Sequence, residues 1–119
     1  MSQKFIDQVR AMVIENLSNE KFGVIDLASN LGLSASQTLR KVKAETGKSV
    51  NQYIREIRLE KAAKLINKSD LTIAEISHQV GFGSPSYFNK AFVKYYGITP
   101  GEYKAKNRSL TKKAIQKLQ

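Results

Sequence analysis

The side chains best suited to specific chemistry lie in two short basic segments about fifty residues apart. Arg40 in the first segment can donate two parallel hydrogen bonds to a guanine, and Asn89 in the second can bond an adenine in the same bidentate way. Ser36 and Ser86 can bond several kinds of base edge. The chemistry that these side chains could perform is noncovalent recognition of base edges, which would require both segments to be held rigidly at a surface.

Further side chains surround these four. The candidates for base contact are Ser36, Gln37, Leu39, Arg40, Pro85, Ser86, Asn89 and Lys90. The candidates for phosphate contact are Ser34, Lys43, Arg58, Ser84 and Lys94. Leu39 and Pro85 have no side-chain hydrogen-bonding group, so they can offer only contact with a thymine methyl or recognition of shape. For either segment alone, an ordinary solvated helix face would be the better interpretation, and for Arg58 solvation and phosphate contact both stay open.

Apolar periodicity and capping residues place these segments on helices. The spacing predicts helices over residues 4–18, about 24–31, 35–46 and 50–68. Ser34 can cap the third helix, Gly47 can end it, and Ser49 can cap the long fourth helix. The buried face of the fourth helix is expected to use Tyr53, Ile54, Ile57, Ala62, Leu65 and Ile66. On the helices of the two basic segments, Thr38 and Val42 are expected to face inward in the first, and Phe88 and Phe92 in the second.

The same arrangement of capped helices then occurs a second time. Thr72, Ser84 and Thr99 can cap three more helices, and Gly97 ends the middle one as Gly47 ended its counterpart. Seven pairs of landmarks are separated by 49 or 50 residues: Leu31/Val80, Gly32/Gly81, Ser34/Ser84, Val42/Phe92, Gly47/Gly97, Ser49/Thr99 and Tyr53/Tyr103. The one-residue difference lies at Gly83. We therefore predict a duplicated helix-turn-helix.

The predicted fold class is all-α, homeodomain-like, with seven helices. The expected domain covers 1–108, with a first unit over about 4–48, a linking helix over about 50–68 and a second unit over about 72–107. Residues 109–119 are expected to be a basic tail.

Composition narrows the possible functions. The chain of 119 residues has a net charge of +10, which favours a polyanion such as nucleic acid, although an anionic membrane surface would also satisfy it. It contains no cysteine, and His78 is its single histidine, so we predict no catalytic residues, no metal and no cofactor. There is no apolar stretch long enough for a membrane span, so we expect a cytoplasmic protein without membrane contact.

Two matched basic helices predict binding to double-stranded DNA. A linking helix of about 18 residues spans about 27 Å, and successive turns of one major groove lie about 34 Å apart. One chain, monomeric as an isolated domain, could then place both helices on one side of the duplex. The alternative is a basic helical protein-interaction module without sequence preference. RNA binding is a third interpretation, but the sequence lacks the aromatic sheet or glycine loop of common RNA modules.

These residues resemble the C-terminal DNA-binding domain of the AraC/XylS family of bacterial transcription regulators. The resemblance covers about Phe5 to Arg108. Its strongest parts are Ile76–Phe82, Ser86–Phe92, Gly97–Pro100 and Tyr103. It implies that both helix-turn-helix units insert their second helices into adjacent major-groove segments. It also implies transcription activation through RNA polymerase and a full-length protein that can dimerise.

The resemblance extends to the architecture around this domain. Most family members carry a sensor or oligomerisation domain before it. The segment Ser34–Gly47 and the basic C-terminal extension are similar to those of long hybrid two-component regulators. We therefore expect an excised domain rather than a stand-alone regulator.

Overall fold

The computed structural model describes residues 2–108, and the tail predicted for 109–119 lies outside this range. The helices are α1 (Ser2–Glu15), α2 (Val24–Leu31), α3 (Ala35–Thr46), α4 (Val50–Lys68), α5 (Ile73–Gln79), α6 (Pro85–Tyr96) and α7 (residues 100–108). The described residues contain no strand. The predicted all-α class with seven helices is confirmed.

The chain divides into two compact units at a point inside α4, between Arg58 and Leu59. The first unit contains α1, α2, α3 and the first half of α4. The second contains the remainder of α4 with α5, α6 and α7. Each unit has its own buried residues and its own helix-turn-helix.

The core of the first unit is mostly aliphatic. Its buried members are Phe5, Val9, Val13, Phe22, Leu27, Val42, Val50, Ile54 and Ile57. Thr38 is also fully buried, and its hydroxyl donates to the Ser34 carbonyl at 2.9 Å, so it brings no unsatisfied polar group into the core. The prediction that Thr38 and Val42 face inward is confirmed.

The core of the second unit is built around aromatic rings. Phe88 and Phe92 are fully buried, as predicted, and their ring centroids lie 5.7 Å apart. Phe82 packs edge-on against Phe88 at 5.2 Å, and Tyr103 of α7 packs edge-on against Phe92 at 5.5 Å. Burial raises the pKa of neighbouring Tyr96 to about 12 because the phenolate would lose hydration there.

The buried surface of α4 differs from the single face predicted for it. Ile54, Ile57, Ala62 and Ile66 are buried as expected, but Tyr53 and Leu65 are only partly buried. The helix also buries Val50, Leu59 and Ala63. The first half of α4 supplies the core of the first unit, while the buried residues of its second half belong to the second unit. Two different apolar stripes therefore follow each other along one helix.

The end of α1 also differs from the prediction, which extended that helix to residue 18. The helix ends at Glu15. The Asn16 side-chain amide donates to the Met12 carbonyl at 2.8 Å, and Leu17 N–H donates three residues back to Ile14 at 3.3 Å. These bonds close a turn in place of another helical turn.

The two turns before α3 and α6 have the same hydrogen-bonding geometry. Leu33 N–H donates to the Ala28 carbonyl at 3.0 Å, and Phe82 N–H donates to the Ser77 carbonyl at 2.9 Å. Both bonds span five residues, the pattern of a Schellman turn that ends a helix. The residues with positive φ in these turns are Gly32 at +69° and Gly81 at +85°. The internal repeat is therefore a repeat of backbone geometry.

Candidate nucleic-acid interface

The N-terminus of α3 is fixed by a reciprocal capping box. Ser34 Oγ accepts from Gln37 N–H at 3.1 Å, and Gln37 Oε1 accepts from Ser34 N–H at 2.9 Å. Such a box satisfies two backbone donors that the helix cannot satisfy itself. It fixes where α3 begins and therefore which of its side chains face outward.

The outer face of α3 carries the predicted base contacts. Ser36, Leu39 and Arg40 are all exposed, whereas Thr38 and Val42 are fully buried on the opposite side. Leu39, a large aliphatic side chain, is 45% exposed. An Arg with an aliphatic neighbour can bond a guanine and contact a thymine methyl.

Two other candidates on this segment already have partners within the protein. The Gln37 carbonyl oxygen is held in the capping box, so only its amide NH₂ could reach a base without breaking that bond. Lys43 Nζ donates to the Gly47 carbonyl at 3.1 Å, beyond the C-terminus of α3. Both residues are exposed, but each would exchange an intramolecular bond for a contact with nucleic acid.

The outer face of α6 carries the second set. Pro85 occupies the first helical turn, where its missing N–H has no cost, and Ser84 Oγ accepts from Tyr87 N–H at 3.1 Å. Four candidates on the outer side of α6 are exposed: Ser86, Asn89, Lys90 and Lys94. Ser34 and Ser84 are thus helix caps, as the sequence predicts.

Arg58 is not placed as a phosphate contact requires. Its side chain is only 5% exposed, and its guanidinium donates to the carbonyls of Leu17 and Asn19, the latter at 2.9 Å. The Arg58 guanidinium therefore bonds the connection between α1 and α2 to α4. We correct the expectation for Arg58 and exclude it from the interface, because using it there would expose two backbone acceptors and remove these bonds.

One exposed residue on the outer face of α6 was missed by the sequence interpretation. Val93 is 37% exposed, whereas Phe88, Ala91 and Phe92 of the same helix are buried. It lies four residues after Asn89 and three after Lys90, so helical spacing places all three on one face. Extending the periodicity by one turn would have found it.

Lys41 is a basic residue of α3 that is directed towards the protein. Its Nζ lies 4.4 Å from the centroid of the Phe5 ring, a cation–π contact that connects α3 to α1. The positive charge of the segment is therefore divided between internal contacts and the outer face.

No helix within residues 2–108 has the length and apolar character needed to cross a membrane.

Two units with matched turns, capped second helices and exposed polar faces define a tandem helix-turn-helix protein. A family model described as "Helix-turn-helix domain" matches residues 27–106. The chain belongs to the AraC/XylS-type helix-turn-helix family, as the resemblance predicted.

Named relatives agree with this membership. The chain is 38% identical over 103 residues to "Histidine kinase P4" of Formosa agariphila, covering 87% of this chain and 8% of that protein. It is 35% identical over 102 residues to the "Virulence regulon transcriptional activator VirF" of Shigella flexneri, covering 86% and 38%. The chain thus spans well under half the length of these curated relatives.

A solved structure extends the comparison to a complex with nucleic acid. The chain superposes on the DNA-binding domain of AdpA, described as a global transcriptional factor in complex with a target DNA. The TM-score is 0.79 at 28% identity, covering 87% of this chain and 92% of the other. A chain with this fold is therefore known bound to DNA.

Proposed function

We propose that this chain binds double-stranded DNA sequence-specifically and thereby regulates transcription. The observation that carries the proposal is the pair of outer faces, on α3 and α6, which present hydrogen-bonding side chains at matched positions. Both faces lie opposite fully buried residues, Val42 and Phe92, so their orientation is fixed by the core. The complex of AdpA with its target DNA supports the same use of the fold.

The proposed roles follow from chemistry and exposure. Arg40 and Asn89 make bidentate contacts to guanine and adenine, and Ser36, Ser86 and Lys90 add further base contacts. Leu39 and Pro85 contribute apolar contact or shape, and the amide NH₂ of Gln37 is available to a base. The phosphate contacts fall to the basic and capping residues at the edges of the two faces: Ser34, Lys43, Ser84 and Lys94. Phosphate contacts set position, and base contacts set sequence preference.

Selection of duplexes from a random pool tests the proposal. Repeated rounds with the purified chain are expected to enrich one motif with two half-sites. The alternative, a basic protein-interaction module, predicts no enrichment, because it would attract all duplexes by charge alone. Equal competition by heparin and by the best duplex would likewise contradict specific recognition.

The salt dependence provides a second measurement on the same duplex. With roughly six to ten phosphates contacted, log K is expected to fall against log salt concentration with a slope of about −5 to −9. A slope near zero would contradict phosphate contact altogether, whatever the selection yields.

The regulatory direction is also a proposal. We propose activation through contact with RNA polymerase, a cytoplasmic location, and a monomeric domain within a full-length protein that can dimerise. The name of VirF as a transcriptional activator supports the first of these. Transcription in vitro from a promoter bearing the selected site is expected to rise when the chain is added; a fall would indicate a repressor.

A further inference from the structure

We infer that Val93 is a specificity-determining residue that contacts a thymine methyl group in the half-site of the second unit. The inference rests on the proposed DNA binding and extends it to a residue outside the predicted site. It concerns one contact on α6 and the base that this contact selects.

The first observation is exposure. In α6 the rings of Phe88 and Phe92 are fully buried and Ala91 is 8% exposed, whereas Val93 is 37% exposed. A β-branched side chain lowers helix propensity slightly, so helix formation by itself does not favour a valine at this partly exposed position.

The second observation is position. Val93 follows Asn89 by four residues and Ser86 by seven, the spacing that aligns side chains along one helix face. Ser86 and Asn89 are exposed. A helix that places these two against base edges also directs the valine into the groove, one turn further along.

The third observation comes from the internal repeat. With the register of fifty residues, Val93 corresponds to Lys43, whose Nζ is bonded to the Gly47 carbonyl. Likewise, Asn89 corresponds to Leu39, the large aliphatic residue exposed on α3. Each outer face thus carries one large exposed aliphatic side chain, but the two are displaced by about one helical turn.

The chemistry of the major groove identifies the partner. The thymine C5-methyl is the apolar feature that base pairs present there, and aliphatic side chains recognise it by contact. We therefore expect the methyl-dependent thymine to be adjacent to the adenine contacted by Asn89 in the second half-site. In the first half-site, the methyl-dependent thymine is expected to lie opposite Leu39, at a different position within the half-site.

Uracil substitution tests this contact directly, because it removes only the methyl group. Each thymine of the selected duplex is replaced in turn by uracil, and dissociation constants are measured with the full chain. One thymine in the second half-site is expected to lose affinity by about fourfold, the effect of leaving one methyl group unburied. Val93→Ala is expected to bind the thymine duplex about as weakly as the wild type binds that uracil duplex, and to show no thymine-to-uracil difference there.

Leu39→Ala provides the matched control. It is expected to abolish the thymine-to-uracil difference in the first half-site and to retain it in the second. Circular dichroism and thermal unfolding verify that both variants fold, which is expected because alanine is a good helix former at exposed positions.

Several outcomes would overturn the inference. One is a selected second half-site that contains no thymine in the major groove. Another is equal affinity of the wild type for the thymine duplex and every uracil duplex of that half-site. The third is a thymine-to-uracil difference in affinity that Val93→Ala retains in full. In each case the enriched motif and the salt dependence still support DNA binding. Failure to enrich any motif would instead contradict the proposed function itself.

Discussion

Arg58 illustrates how a single charged residue can be used inside a basic protein. Its guanidinium is buried and bonded to the carbonyls of Leu17 and Asn19, forty residues earlier in the chain. A planar group with several donors suits two carbonyls at once, which an ammonium group would satisfy less well. The positive charge of Arg58 therefore stabilises the fold of the first unit.

Replacement of this side chain is expected to destabilise the protein. Arg58→Met keeps much of the aliphatic volume but removes both bonds to the connection between α1 and α2. We expect a loss of about 2–3 kcal/mol in the free energy of unfolding, the usual effect of losing charged hydrogen bonds. Urea denaturation measures it. Arg55→Met, on a more exposed side of the same helix, is expected to change stability by less than about 0.5 kcal/mol. Equal effects of the two variants would contradict the structural role of Arg58.

Arg40 and Lys94 are expected to divide their tasks between sequence preference and general affinity. Arg40→Ala should cost about 1–3 kcal/mol on the selected site and relax preference at one or two base pairs. Lys94→Ala should weaken all duplexes alike, because a phosphate contact is the same on every sequence. Competition binding with single-base variants measures both effects. Unchanged preference with Arg40→Ala would mean that α3 does not contact bases as proposed.

At the scale of elements, the helix starts are fixed by side chains that bond back to the backbone. Thr72 and Glu75 form such a pair at α5, and Thr99 and Glu102 form another at α7. Backbone and side-chain hydrogen bonds from Thr72 lower the pKa of Glu75 from its ordinary 4.5. Hydrogen bonds from the Thr99 side chain and backbone do the same for the pKa of Glu102.

These lowered pKa values predict a pH dependence with a definite sign. The ionised carboxylates stabilise the folded state fully above pH 4.5, the ordinary pKa, and this contribution is lost as the pH falls through the folded-state pKa. NMR titration should show the Thr72 amide responding with a midpoint below pH 4.5. Glu75→Gln retains an acceptor oxygen and should abolish that response. A midpoint at or above the ordinary value would contradict the cap.

The sequence predicted the helix caps and the inward-facing residues correctly, because each of these depends on residues close together in the chain. The caps Ser34, Ser84 and Thr99 and the inward positions of Phe88 and Phe92 follow from spacing of three or four residues. The engagement of Gln37 Oε1 in the α3 cap was not predicted, because a side chain on the outer face can also take part in a capping box. The sequence interpretation left Arg58 open because its partners lie about forty residues away, and no local periodicity contains that contact.

The two apolar stripes of α4 are a second feature that a local sequence pattern did not predict. A search for one apolar face combines Ile54 and Ile57 with Ala62 and Ile66, although these pairs belong to different units. Leu59 then falls outside the expected face and yet is only 2% exposed. Periodicity measures amphipathicity against one core, so a helix that serves two cores in succession departs from it.

At the scale of the whole molecule, the proposal requires both units to engage one duplex. We predict a footprint of roughly 20 bp for one chain, two turns of the double helix. Inserting about 5 bp between the half-sites turns one of them by half a revolution and should abolish tight binding. An insertion of about 10 bp should not fully restore it, because the distance between the half-sites grows by a full turn while the connecting helix keeps its length.

Footprinting and dissociation constants on the two insertion duplexes measure this prediction. The uninterrupted site and each isolated half-site serve as controls. Unchanged affinity with the 5-bp insertion would mean that one unit binds alone, and simultaneous engagement would be abandoned. Specific binding by that single unit would still stand.

The division of the chain inside α4 has a consequence for how the protein unfolds. If one unit melted, the remaining half of α4 would end between Arg58 and Leu59 and would leave four backbone groups without helical partners, carbonyls if the first unit persists and N–H groups if the second does. Melting one unit while keeping the other would require such a break within α4 or a long unsupported helical end. The shared helix thereby makes partial unfolding unfavourable. We expect heat or urea to melt both repeats in one cooperative transition, so that neither half persists as an independent folding unit.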